Sequence, residues 1–145
     1  MSEPGQTGPV VVDTNVFSAR FGRRGHMLFN LYGPMLAGRA VHLSFVTVAE
    51  ARFGARLAGW GPPRLTRLEA ELARVDVVWP DDQLTDVYAD LRTACHRTGH
   101  GLAHKTHEAD RWVAATALWL GLPLVAHDAI FKTVPGLQLL TNLDS

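Results

Sequence analysis

Four acidic residues stand where the chain could assemble one site: Asp13, Glu50, Asp110 and Asp128. Asp13 closes the apolar run Val10-Val11-Val12 and is followed by Thr14 and Asn15, whereas Asp128 follows the apolar stretch from Leu122 to Ala126 and His127. Each acid also has an ordinary structural use. An Asp after a strand can cap the next helix or hold a turn. Thr47-Val48-Ala49-Glu50 has the form of a capping box, and Asp110 falls in a first helical turn, where the helix dipole favours any acid. Helical geometry argues further. At about 100° per residue, Glu50 points between Val46, Phe53 and Leu57, and Asp110 aligns with Val113, Ala114 and Ala117. Carboxylates on apolar stripes are expected to be paired or to bind a metal.

Clustered carboxylates repel one another, and an all-oxygen donor set answers that with a hard divalent cation, Mg²⁺ or Mn²⁺ rather than Zn²⁺. The corresponding chemistry is phosphodiester hydrolysis, in which an ion activates water for in-line attack on phosphorus and offsets charge on the leaving oxygen. Thr14, Asn15 and Thr47 are neutral hydrogen-bonding residues suited to orienting the acids from behind.

The elements that must position these residues are an alternation of short apolar strands and helices. Strands are predicted at Val10 to Val12, Val41 to Phe45, Val75 to Trp79, Leu122 to Ala126 and Leu137 to Leu140. Helices are predicted at Met27 to Gly38, Val46 to Gly59, Arg64 to Arg74, Asp82 to Thr98 and Glu108 to Leu120, with Gly38, Gly59, Gly99 and Gly121 at their ends. This pattern gives an α/β fold with a mostly parallel central sheet covered on both faces, a three-layer α/β/α arrangement. Loops after the carboxyl ends of such strands gather at one edge, so the four acids are expected to converge there.

The motifs around the acids resemble those of the PIN-domain nucleases. Asp13-Thr14-Asn15 after a short strand is similar to the opening motif, and Ser44 to Glu50 to the second. Asp110 at the head of the Ala-rich Asp110 to Leu118 resembles the third, and Leu124 to Phe131, followed by Val134-Pro135-Gly136-Leu137, the fourth. The resemblance runs from about Val10 to Leu140. Ala126 departs from it, since many members carry Thr or Ser two residues before the fourth acid. Small stand-alone members are most often VapC-like toxins, the ribonuclease half of type II toxin–antitoxin pairs. The resemblance therefore implies a Mg²⁺- or Mn²⁺-dependent endoribonuclease that leaves 5′-phosphate and 3′-hydroxyl ends. It places Asp13, Glu50, Asp110 and Asp128 at the metal, and implies a homodimer and a small antitoxin whose tail blocks the site. Competing readings are an inactive PIN-like fold that only binds RNA or a partner, and a metal-independent ribonuclease using His and Arg. A phosphatase or receiver domain also begins with an acid after its first strand, but Asp13 has no second Asp two residues on and no Lys follows the last strand.

Other residues could touch RNA. Arg20, Arg23, Arg24 and His26 surround two glycines just after the Asp13 motif and could clamp phosphate, with Arg64, Arg67 and Arg74 extending the surface. His104, Lys105 and His107 precede Asp110 and could do the same. With His96 and His100 they have spacings of three and four, as in some zinc sites, but Gly99 and Gly101 interrupt them and no Cys joins, so solvated loop residues are the simpler reading. His127 has no assigned role. Trp60 could bind a partner or fold back on the core, and Trp112 and Trp119 share a helix face that is either buried or a subunit contact.

The chain has 145 residues, 47% hydrophobic, which suits one domain at residues 10–141, with a polar tail at 1–9 and a short one at 142–145. Its single Cys95 is expected to be a buried apolar residue in a reducing, cytoplasmic protein, and no segment reads as a membrane span or signal peptide. Fourteen basic residues balance 14 acidic ones, which by itself argues mildly against a nucleic-acid partner. Committing four acids to metal reverses this, leaving ten against 14, so RNA attraction should be local and metal-dependent.

Overall fold

The three β-branched residues Val10–Val12 form β1, whose side chains alternate between two buried layers, with Val10 and Val12 on one side and Val11 on the other. The computed structural model describes residues 7–22 and 25–143. Strands β2 (Val41–Ser44), β3 (Asp76–Val78), β4 (Leu124–Val125) and β5 (Leu139–Leu140) complete a five-stranded sheet of order β3-β2-β1-β4-β5, parallel throughout. β1 lies at the centre, where Val11 pairs with His42 on one side and Leu124 on the other.

Six α-helices among the described residues cover the sheet: α1 (Thr14–Ser18), α2 (His26–Leu36), α3 (Phe45–Leu57), α4 (Pro62–Ala73), α5 (Asp82–Thr98) and α6 (Glu108–Leu120). One core gathers Val10, Val12, Phe17, Tyr32, Leu43, Val48 and Leu68 from β1, β2 and α1 to α4. The other gathers Val11, Leu84, Leu91, Cys95, Val113, Ala114 and Leu124, beneath α5 and α6. The predicted three-layer α/β/α architecture with a parallel sheet is therefore the observed one. None of the described helices is long and apolar enough to cross a membrane.

The elements match the expected ones to within a few residues, with one addition. Helix α1 is five residues long, too short to display a 3.6-residue period, and starts because Asp13 caps it by accepting the Val16 N–H at 3.0 Å. Helix α4 begins earlier than expected because Pro62 and Pro63 occupy its first turn, where a missing N–H costs nothing. Helices α5 and α6 end on Gly99 and Gly121 at φ of 70° and 67°, left-handed conformations that favour glycine. At the far end the chain is still fastened at Asn142, whose Nδ2 donates to Leu31 O at 2.8 Å.

Cys95 is fully buried, and burial pushes its thiol pKa up, as expected of a small core residue without reactivity. Trp60 folds back, its ring 6.1 Å from that of Phe21 and covered by the Arg64 guanidinium at 4.0 Å. Trp112 is half-buried and stacks on Tyr88 at 4.0 Å, and Trp119 also packs on the core, so burial on both sides of α6 accounts for its two apolar faces.

Candidate functional site

The parallel sheet places the ends of β1, β2 and β4 on one edge, and the four acids belong to the segments that follow or face those ends. Asp13 is the first residue after β1 and is 6% exposed. Its pKa is raised to about 7, first by burial, against which the Val16 N–H works, and then by the negative charges of Asp110, Asp128 and Glu50. Those three charges are thus near enough to Asp13 to oppose its ionisation.

Each acid is held by a local partner. Thr14 donates its hydroxyl proton to Glu50 Oε1 at 2.9 Å and lies 3.0 Å from the hydroxyl of Thr47, tying α1 to α3. His107 Nδ1 lies 2.8 Å from Asp110 Oδ2. Asp128 Oδ1 accepts the Ile130 N–H at 3.0 Å, capping the 3₁₀ turn Ala129–Phe131. Capping and clustering coexist: the bond from Val16 uses one oxygen of Asp13 and that from Ile130 one oxygen of Asp128, leaving the second oxygen of each for another ligand. Among the described residues no group of three acidic, His or Cys side chains stands closely enough to cage an ion as positioned. The donor set itself suits one: four carboxylates, with a buried Asp13 whose ionisation burial and its neighbours' charges oppose and a divalent cation would favour.

For Glu50 the competing structural use is absent, and one sequence expectation is corrected. The capping box does not form, because α3 starts earlier, on Ser44, whose Oγ accepts the Val46 N–H at 3.2 Å. Thr47 is consequently buried inside the helix with its hydroxyl against Thr14. Nor is Glu50 on a buried stripe: Phe53 and Leu57 are 63% and 76% exposed, and the face packed on the core is Thr47, Val48, Ala51 and Ala55. The Thr14 bond, rather than burial, directs Glu50. Asp110 fits its expected face, half-buried above the fully buried Val113, Ala114 and Ala117. Asn15 is exposed on α1.

The basic residues divide. Arg20 is engaged by Glu71 at 3.1 Å and by Phe17 O at 3.1 Å, and Arg64 and Arg67 donate to Phe21 O and Arg20 O, so these three bind the turn together. Arg23 and Arg24 lie outside the described residues. His104 accepts the Thr106 N–H and Lys105 is exposed beside it. His100 lies 2.8 Å from Lys132 O through Nε2 and accepts the Leu102 N–H through Nδ1, so it locks its loop instead of standing free in solvent.

Two arrangements escaped the sequence reading. Arg111, next to Asp110, is fully buried and donates to Leu102 O at 2.8 Å, His104 O at 2.7 Å, Tyr88 Oη at 3.1 Å and the Glu108 carboxylate. The signal available was Glu108, three residues earlier on the same helix. The second is Tyr32, 1% exposed, whose hydroxyl lies 2.8 Å from His127 Nδ1, accepts the Asn142 N–H at 2.9 Å and reaches Ala126 O at 3.3 Å. It fastens the segment leading to Asp128 onto α2 and gives His127 a structural task. Tyr32→Phe should lower stability by about 1–3 kcal/mol, the cost of leaving buried partners unpaired, read as the urea midpoint. A midpoint equal to that of the wild type would show that the hydroxyl anchors nothing.

A parallel five-stranded sheet with acids after β1 and β4, in the first turn of α6 and in the second turn of α3 defines a PIN-like domain. The PIN domain family model matches residues 10–137, and the chain belongs to that family. It is 24% identical over 129 residues to Ribonuclease VapC1 of Haemophilus influenzae, covering 88% of this chain and 93% of the relative. Among solved structures it is similar to VapBC2 from Rickettsia felis bound to a DNA fragment from its promoter (TM-score 0.74, 20% identity, 91% of this chain and 97% of that one). It is also similar to VapBC-5 from Mycobacterium tuberculosis, a member of the VapBC family of toxin-antitoxin systems (TM-score 0.62, 25% identity, 93% of this chain and 98% of that one).

Proposed function

We propose that this protein is a metal-dependent endoribonuclease and the toxin of a toxin–antitoxin pair. The observation that carries the reading is Asp13, a buried carboxylate whose pKa stands at about 7, raised by burial and by the charges of Asp110, Asp128 and Glu50. Those four residues would hold Mg²⁺ or Mn²⁺. An ion held there would supply a nucleophilic water near neutral pH and would stabilise charge on the scissile phosphate. The chain's own part is orientation. The Val16 and Ile130 N–H groups fix one oxygen each of Asp13 and Asp128, Thr14 aims Glu50, and His107 holds Asp110. RNA would approach beside His104 and Lys105. The likeness to VapC1 and to VapBC complexes supports the RNA substrate, the small antitoxin partner and the toxin role. A homodimer and a cytoplasmic setting belong to the same reading.

His107 against Asp110 is the arrangement that would serve a metal-independent, His-based reaction instead. One assay separates the two: cleavage of single-stranded RNA with Mg²⁺, Mn²⁺ or EDTA, with Asp13→Asn as control. Chelation and the substitution should each abolish cleavage. Persistent cleavage in EDTA would reject the metal reading, and no cleavage under any condition would favour a binding module.

A further inference from the structure

We propose a second binding surface: the cleft of about 660 Å³ lined by Tyr88, Arg92, His96, Arg97 and Ala103 holds sugar–phosphate backbone of single-stranded RNA alongside the carboxylate edge. The proposal rests on the nuclease reading above and gives it a place to grip substrate away from the reacting phosphate.

The arginines divide by the partners they have. Arg20, Arg52, Arg74 and Arg111 form ion pairs with carboxylates, Arg56, Arg64 and Arg67 donate to backbone carbonyls, and part-buried Arg39 has Nε and Nη1 shielded from solvent with no hydrogen-bond partner among the described residues. Arg92 and Arg97 have no ion pair among the described residues. Arg92 makes a single 3.4 Å bond to the hydroxyl of Tyr88, and both arginines are exposed on α5. Arg92 and Arg97 make one wall of the cleft positive, without an ion pair among the described residues, and His96 adds a ring N–H donor beside them, the electrostatic footprint of a phosphate-binding surface.

The cleft also borders the segments that carry Asp110 and Asp128. Its far wall is Ala103, in the segment Arg111 pins by Leu102 O and His104 O, and that segment ends at His107 against Asp110. Tyr88, at the near wall, donates its hydroxyl proton to Glu108, the first residue of α6, two before Asp110. The 3₁₀ turn Gly101–Ala103 also packs against Ala129–Phe131, the turn that Asp128 caps. A strand leaving the acids past exposed Lys105 would therefore meet Arg92, His96 and Arg97 next. A positive groove tracking the backbone holds single strands without reading sequence. The acids of α5, Asp82, Asp86 and Asp90, all lie in its first nine residues, so the helix turns from acidic to basic along its length. Cations in a last turn also favour the helix dipole, which is the competing use of His96 and Arg97. Arg92, four residues before His96 and five before Arg97, stands about one turn ahead of that last turn, within which the effect falls off.

The test uses the full chain carrying Asp13→Asn, so that RNA is bound without being cut, and a fluorescent single-stranded RNA followed by anisotropy over a range of salt. Adding Arg92→Gln and Arg97→Gln should weaken binding about 5- to 10-fold. It should also reduce the slope of log affinity against log salt by about 1.4, at about 0.7 for each phosphate contact. In the wild-type background the same pair should raise KM on a long RNA and leave kcat unchanged. Unchanged affinity and slope with a shifted melting temperature would overturn the proposal and assign the cations to the helix. A change of oligomeric state on size exclusion, with affinity following assembly, would overturn it in favour of a subunit contact. Absence of RNA binding by the Asp13→Asn parent would also overturn it. Wild-type protein that binds RNA through this cleft yet never cleaves would sink the nuclease reading and uphold the cleft.

Discussion

Asp13→Asn is expected to make the metal-free protein more stable at pH 8 while eliminating RNA cleavage. Asp13 is 6% exposed, and its pKa is raised to about 7 from an ordinary 3.8, by burial first and by Asp110, Asp128 and Glu50 after it. The folded state therefore binds the proton more tightly than the unfolded chain does. The stability this lends is fully present below about pH 4, declines as pH rises between the two pKa values, and is gone above about 7. About three units correspond to roughly 4 kcal/mol as a ceiling. Asn keeps the cap, because its carbonyl oxygen can still accept the Val16 N–H and Asn caps helices as well as Asp does. What it removes is the buried charge. Urea unfolding in EDTA should show the wild type losing stability from pH 5 to pH 8 and the variant holding nearly level. Added Mg²⁺ should then stabilise the wild type at pH 8, by binding the native state alone, and leave the variant where it was. A variant weaker than the wild type at pH 8 in EDTA would mean that the Asp13 charge is satisfied by the protein itself.

The same residue shows how far the sequence could be read. The strands were legible because Val10–Val12 and Leu124–Val125 are apolar without alternation, as a sheet covered on both faces demands. The edge that gathers the acids followed from the parallel topology. Whether Asp13 caps or clusters was not decidable from composition, and the structure shows why: Val16 occupies one oxygen only. Glu50 lies outside the buried face although its sequence neighbours suggest otherwise, because α3 offers two overlapping stripes. Phe53 and Leu57 look like core, yet the smaller Thr47, Val48, Ala51 and Ala55 are the side chains that meet the sheet. Periodicity reports that a stripe exists and not which of two is covered. Tyr32 with His127, 95 positions apart, and His100 with Lys132, 32 apart, depend on partners brought together only by the finished fold.

The largest loss of stability is expected from Arg111→Ala, at about 3–5 kcal/mol, as for other buried charged groups deprived of one partner. The guanidinium is fully buried and serves four acceptors at once: Leu102 O, His104 O, Tyr88 Oη and the half-exposed Glu108 carboxylate. Glu108 can return to water. The two carbonyls cannot easily do so, and the space between α5 and α6 would be left unfilled. Arg111→Lys should recover little, since a single ammonium has no planar fork to reach acceptors on three sides. The functional consequence follows from what the carbonyls belong to. Residues 102–107 hold Ala103 in the cleft wall and carry His107 to Asp110, so loosening them should lower cleavage even where the fold survives. Urea midpoints measure the global cost, and hydrogen exchange at the amides of Ala103, His104 and His107, each bonded to a carbonyl within this loop, measures the local one. Arg111→Lys is expected to show faster exchange at those amides with β1 and β2 still protected. Wild-type midpoint and wild-type protection in Arg111→Lys would instead show that the loop stands by its own turns, Gly101–Ala103 and Lys105–His107, and that Arg111 is a passenger in the core.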